Sequence, residues 1–222
     1  MKKFNVAIDG PAGAGKSSIS KAVAKKLGCV YVDTGAMYRA CALYAIENNI
    51  PITEDGLKDE LDNIKVSIKY TDEGQRIYLS DVDVSERIRE PDVPIGASDI
   101  AVIPAVRLKL VDMQRELAKK ESVVMDGRDI GTYVLPDAND KIFLTASVDE
   151  RARRRLLELE AKGQTVDFES VKTDMMYRDK NDSEREFAPL RRAEDAILLD
   201  TTAICFDEAV AKVTEIIEKA VG

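Results

Sequence analysis

Apolar positions in this chain gather in runs of strand length, and each run gives way to a segment with helical spacing. The runs are "FNVAID" (4–9), "CVYVD" (29–33), "SVVMD" (122–126), "KIFLTA" (141–146) and "AILLD" (196–200). Near-continuous apolar strands alternating with amphipathic helices predict an α/β fold, a parallel sheet covered by helices. Four of the five runs end in aspartate. Ligands of such sheets collect at the carboxyl ends of strands, so this row of carboxylates is a candidate rim for a site. Asp also opens turns and caps helices, which is the plainer reading of any one of them.

Two stretches break the alternation. Residues 64–84, "IKVSIKYTDEGQRIYLSDVDV", alternate apolar and polar positions around Asp72-Glu73-Gly74 and predict a small antiparallel excursion. Residues 147–180 predict two helices. Ser147 and Glu150 have capping-box spacing, and Val148, Ala152, Leu156 and Leu159 form one apolar stripe, with Arg151, Arg153, Arg154 and Arg155 on its flanks and back. Gly163 and Gln164 interrupt, and "DFESVKTDMMYRDKND" starts the second helix.

The composition is that of a folded chain: 222 residues, 45% hydrophobic, 33% charged, no Trp. One folding unit is expected, and no apolar stretch reaches the ~20 residues of a membrane span. In "MKKFNVAIDG" the apolar run is cut by Asp9, so it reads as a first buried strand rather than a leader peptide. A net charge of −8 opposes long-range capture of a nucleic-acid polymer, so neither such a polymer nor a membrane is expected as a partner. Cys29, Cys41 and Cys205 are widely spaced and form no C-x-x-C, which argues against disulfides and zinc and for a cytoplasmic protein. Histidine is absent, which removes every mechanism that needs a His base, nucleophile or metal ligand.

The segment Gly10-Pro11-Ala12-Gly13-Ala14-Gly15-Lys16-Ser17 matches G-x-x-x-x-G-K-[ST] between a strand and a helix. These residues, with Ser18, predict a donor ATP site. Glycines let successive N–H groups turn inward at a helix N-terminus, Lys16 reaches the β- and γ-phosphates, and Ser17 offers a hydroxyl to Mg²⁺. Asp126, closing an apolar strand, is the expected second support for that Mg²⁺, through water. No N-K-x-D occurs, so a guanine switch is disfavoured.

Three clusters mix arginine with aspartate: "DTGAMYR" (33–39), "DGRDIGT" (126–132) and "RDKNDSER" (178–185). A guanidinium fork suits phosphate and a carboxylate suits hydroxyl or amino donors, so the mixture suits a nucleoside monophosphate. Surface ion pairs are the plainer reading of each cluster taken alone.

Together the loop "IDGPAGAGKSS", "VDTGAMYR", "MDGRDIGT" followed by "LPDA", and "RDKNDSER" resemble, in order and spacing across nearly the whole chain, the short bacterial-type cytidylate kinases. The resemblance implies a nucleoside-monophosphate-kinase core with a five-stranded parallel sheet. It divides the chain into core (1–36), an NMP-binding region with a β-insert (37–95), core (96–152), a lid (153–182) and core (183–222). It implies transfer of the γ-phosphoryl group of ATP to CMP or dCMP with Mg²⁺, in a monomer. By position, Arg39, Arg128 and Thr34 match residues that hold the acceptor phosphate. Ser98, Arg107, Asp129 and Arg185 match those that read cytosine, and Arg178 and Asp182 those at the ribose. Arg154 matches a lid arginine over the donor phosphates, so Lys16, Arg128, Arg154 and Asp126 form the implied catalytic set. Ser18 stands where Thr is common and Tyr133 where Val is common.

Two other readings stay open at this point. A small-molecule hydroxyl kinase of shikimate-kinase type would use Asp33 as base, and a nucleotide sensor would not turn over at all. A phosphate acceptor is already largely dianionic near neutral pH and needs no base, which suits a chain without histidine.

Overall fold

The computed structural model describes residues 3–71 and 74–221. Strand β1 (Asn5–Asp9) leads through the glycine-rich loop into α1 (Lys16–Leu27), and β2 (Val30–Asp33) runs directly into α2 (Thr34–Glu47). A short helix, α3 (Glu54–Leu57), precedes β3 (Val66–Thr71), β4 (Gly74–Leu79) and β5 (Val82–Asp83). Then come α4 (Val93–Ile100), α5 (Pro104–Lys120), β6 (Val123–Gly127), a π-helical turn at Ile130–Val134 and β7 (Asp140–Thr145). Helices α6 (Val148–Ala161) and α7 (Phe168–Glu184), strand β8 (Ile197–Asp200) and α8 (Phe206–Val221) complete the chain.

All five apolar runs are strands of one parallel sheet, in the order β2-β6-β1-β7-β8. Its central strands must satisfy two apolar faces, which explains why they read as continuous hydrophobic segments. On one face Val6, Ile8, Val124, Ile142 and Leu144 pack against Ile19 and Val23 of α1 and Ala209, Val213 and Ile217 of α8. On the other, Ala7, Val32 and Met125 meet Val111 and Ala118 of α5. Full burial of each Val, Ile, Leu or Met side chain among them is worth roughly 1.5–3 kcal/mol. The sheet register pairs Asp33 with Asp126 and Asp9 with Gly127, so three strand-terminal carboxylates sit along one edge. Asp200, also strand-terminal, instead accepts from the backbone and hydroxyl of Thr202 at 2.8 and 2.6 Å, so here the turn reading holds.

The expected antiparallel excursion is present as the sheet β3-β4-β5; Asp72 and Glu73 of its turn lie outside the described residues. It is no loose appendage. Val66, Ile77 and Leu79 share a core with Met37, Leu43 and Ile100, and the Gln75 side chain clamps Asp33 by accepting from its N–H (2.8 Å) and donating to its carbonyl (3.3 Å). In α6, Ser147 accepts from the Glu150 N–H at 3.3 Å, and the stripe residues Ala152, Leu156 and Leu159 meet Val171 and Phe168 of α7. Although it lies off the apolar stripe, Arg151 is buried.

Candidate active site

The sheet's carboxyl edge opens into a cleft of about 1020 Å³. It is lined by Ala12, Gly13, Gly15, Lys16, Ser17 and Ser18 of the loop, by Thr34, Arg39, Ser98, Arg107, Asp126, Arg128, Asp129, Arg178, Asp182 and Arg185, and by Arg154. Of the residues proposed from sequence, Gly10, Pro11 and Ala14 lie behind this lining. Gly10 has a packing reason of its own. At φ +147° a Cβ there would stand 1.9 Å from the Leu144 carbonyl oxygen, so only glycine lets the loop leave β1 beside β7.

The loop ends at Gly15, left-handed at φ +87°, and α1 begins at Lys16, so the helix N-terminus faces the cleft. Lys16 is 5% exposed and its ammonium donates to the Pro11 carbonyl at 2.8 Å. Burial, then the Arg128 guanidinium, push its pKa down to about 7 despite Asp126, Asp182 and Asp9 nearby. Ser17 Oγ donates to Asp126 Oδ2 at 2.9 Å, and the Tyr31 hydroxyl donates to Asp126 Oδ1 at 2.8 Å. Burial and the neighbouring Asp33 raise Asp126 to about 6. A hydroxyl and a carboxylate side by side form the all-oxygen, partly hydrated kind of site that Mg²⁺ takes, so these two residues fit that ion.

Beyond Asp126 the chain turns through "GRDIG". Asp9, at the end of β1, accepts from the N–H groups of Ile130 (2.8 Å) and Gly131 (2.7 Å) and pins the π-turn. Thr34 Oγ1 donates to the Asp126 carbonyl at 2.7 Å and secures the other side. The segment between them presents Arg128 and Asp129 from a fixed backbone. Arg128 Nε donates to Asp182 Oδ2 at 2.6 Å. Asp129 is buried between two arginines, bonded to Arg107 Nη2 and, at 3.1 Å, to Arg185 Nη2. Arg107 is 1% exposed and lies 5.4 Å from the centre of the Tyr38 ring. Asp33 caps α2 by accepting from Ala36 N–H at 2.9 Å and pairs with Arg39 at 2.9 Å. Although burial pushes its pKa up, Arg39 and the Ala36 N–H hold it below the ordinary carboxylate value.

On α6, Arg154 lies near Gly15 and donates to Glu150 at 3.0 Å and to the Thr201 hydroxyl and carbonyl at 3.1 and 2.6 Å. Burial and the adjacent Arg128 lower Arg178 to about 10. Lys16 and Arg178 are therefore cations held in a confined space at a cost that an arriving anion would relieve.

Among the described residues, the Nε atoms of Arg39, Arg107 and Arg178 and Oγ of Ser98 are buried without a hydrogen-bond partner. Buried orphan donors are costly, and four of them around one cleft mark where a polar ligand belongs. Sequence reasoning did not single out Asp9, Tyr31, Tyr38, Gln75 or Arg89 as site residues. Asp9 stood in the row of strand-terminal carboxylates and Tyr38 inside a quoted cluster. Gln75 and Arg89 carried no motif; Gln75 reaches the cleft because the β-insert folds back over it, and Arg89 from the turn at Arg87–Arg89 that follows.

A family model of cytidylate kinases matches residues 6–219. The cytidylate kinase of Caldicellulosiruptor saccharolyticus is 53% identical over 223 aligned positions that cover 100% of this chain and 99% of that protein. The one from Carboxydothermus hydrogenoformans is 51% identical, covering 96% and 97%. Among solved structures, an uncharacterized protein from Eubacterium ventriosum shares the fold at a TM-score of 0.53 and 17% identity, covering 98% of this chain and 99% of that one. With the family model spanning nearly the whole chain and these relatives about half identical over nearly their full length, the chain belongs to the cytidylate kinase family.

Proposed function

We propose that this protein transfers the γ-phosphoryl group of ATP to CMP, giving ADP and CDP. The observation that carries the reading is the set of four orphaned donors, on Arg39, Ser98, Arg107 and Arg178, around a cleft that continues into the phosphate loop. A ligand with both a phosphate and a hydrogen-bonding base edge satisfies them together. A phosphate oxygen of CMP attacks the γ-phosphorus in line as the bond to the β,γ-bridging oxygen breaks, and ADP leaves with that electron pair. No base is needed, since the acceptor phosphate is already largely ionised.

The chain's work is positioning and charge. Loop N–H groups and Lys16 hold the donor's β- and γ-phosphates, Arg39 and Arg128 hold the acceptor phosphate, and Arg154 approaches the donor from α6. Spreading positive charge around the moving group is the largest lever available in such transfers. Ser17 and Asp126 would hold Mg²⁺, which when bound neutralises phosphate charge and orients the β- and γ-oxygens. Asp129, Arg107 and Ser98 meet the base, and Arg178 and Asp182 the sugar, so dCMP is also accepted, with CMP preferred.

A hydroxyl-kinase reading would need Asp33 free to take a proton, but its carboxylate caps α2 and pairs with Arg39. The test is steady-state ADP release with Mg²⁺ and ATP against CMP, dCMP, UMP, shikimate and gluconate. Turnover with CMP and dCMP is expected. Turnover with shikimate or gluconate and none with CMP would overturn the reading.

A further inference from the structure

Of the four arginines on α6, Arg151 alone is buried, its side chain 4% exposed. Its guanidinium joins three parts of the molecule. Nη1 donates to the Ala12 carbonyl in the phosphate loop at 2.9 Å, Nε donates to the Ala146 carbonyl after β7 at 3.0 Å, and Nη1 lies 2.7 Å from Asp179 Oδ2 on α7. The contact is close-packed. A Cβ on Gly13 would stand 2.9 Å from the Met175 methyl of α7 and 3.1 Å from Arg151 Cβ.

Helix α7 carries the acceptor side of the cleft. Asp179 is flanked by Arg178 and Asp182, and Asp182 receives Arg128 at 2.6 Å. The same helix reaches α4, where Tyr177 and Asn181 donate to Asp99 at 2.8 and 3.2 Å, next to Ser98. One buried cation thus ties the backbone of the donor loop to the helix on which the acceptor residues sit. A shift of α7 toward an acceptor moves the partner of Arg151, and an ordered loop fixes the carbonyl that Arg151 binds.

We propose that Arg151 and Asp179 are positioning residues that couple the two nucleotide sites, so that filling either one favours filling the other. The inference rests on the donor and acceptor reading given above. It goes beyond that reading because neither side chain has to touch a nucleotide.

The experiment is titration calorimetry of the Mg²⁺ form of a non-hydrolysable ATP analogue, with and without saturating CMP, and the reverse titration. In the wild type each nucleotide should tighten the other by the same factor, on the order of tenfold. Asp179→Asn keeps the shape and leaves both carbonyl bonds of Arg151 in place, and its factor should fall below about twofold. Arg151→Lys, which cannot span three acceptors, should give the same loss and serves if Asp179→Asn does not fold. Lys172→Gln removes a different α6–α7 link, the exposed pair with Asp149 at 2.6 Å, and should leave the factor unchanged. Equal factors in wild type and both coupling variants overturn the inference while leaving the function intact. A wild type that does not bind CMP overturns the function reading and the coupling with it.

Discussion

Replacing Asp129 tests base recognition and stability in one residue. Its two oxygens hold two guanidinium groups, those of Arg107 and Arg185, which are 1% and 7% exposed. Asp129→Ala leaves buried Arg107 without its carboxylate and Arg185 with only the longer contact to Asp182 at 3.7 Å. Breaking a buried pair by removing one partner costs about 3–5 kcal/mol. For a chain of this size each kcal/mol lowers Tm by about 2–4 °C, so a drop of roughly 6–20 °C is expected.

The effect on substrate choice is separate. Cytosine offers an amino donor at N4 and an acceptor at N3, whereas uracil offers an acceptor at O4 and a donor at N3. The carboxylate can accept from the first and repels the second. Loss of one or two such contacts, at about 1–3 kcal/mol each, lowers kcat/KM for CMP roughly a hundredfold or more. UMP, which never had the contact, should fall much less. Asp129→Asn is the sharper variant, because its amide can donate to O4, and it should narrow the ratio further. Both specificity constants are measured well below the variant's melting temperature, with folding checked by circular dichroism. If CMP and UMP fall by the same factor, Asp129 only organises the two arginines and the recognition argument fails.

The parts legible in sequence were those set by local physics. Buried parallel strands must be continuously apolar, so the inner strands were legible; β8 showed the same apolar run although Ile197 and Leu198 are about half exposed at the sheet's edge, and a phosphate loop needs glycine, Lys and Ser at fixed spacing. The three arginine-carboxylate clusters come together around one cleft, but their wiring was not legible. Arg128 pairs with Asp182, 54 residues away, and Asp129 with Arg107 and Arg185 rather than with its neighbour. Such choices are made by tertiary placement of helices and leave no periodic trace. The helical stripe places Arg151 off the apolar face, and nothing in that spacing shows that it is buried. Its burial depends on two backbone carbonyls and Asp179 converging from other elements. Lys16 is buried for a similar reason: Asp126 of β6, Asp182 of α7 and Arg128 stand around it.

Two further predictions concern ionisable groups. Lys16→Met should abolish turnover without lowering the stability of the empty protein near pH 7. A lysine whose folded pKa is depressed binds fewer protons folded than unfolded, so its cost is full below about pH 7 and gone by about pH 10.5. The melting temperature of the variant relative to wild type should be at least equal at pH 6.5 and decline toward pH 10; a large loss at pH 6.5 would show a structural role. Asp9 is the converse case. Burial raises its pKa from 3.8 to about 7, against the two N–H bonds from Ile130 and Gly131, so the folded protein holds a proton there that the unfolded chain has lost. Its contribution to stability therefore declines as pH rises from about 4 to about 7, by a few kcal/mol at the order-of-magnitude level. Function should run the opposite way, because the ionised carboxylate accepts both N–H groups more strongly than the acid does. As pH falls below about 7, a protonated Asp9 accepts from them more weakly and loosens the turn that presents Arg128 and Asp129. KM for CMP should then rise while KM for ATP stays flat. The acceptor phosphate itself titrates near pH 6, so Asp9→Asn is the control. The variant should keep the limb near pH 6 and lose the one near pH 7. Identical KM profiles for CMP in the two proteins would show that Asp9 holds the turn in either charge state.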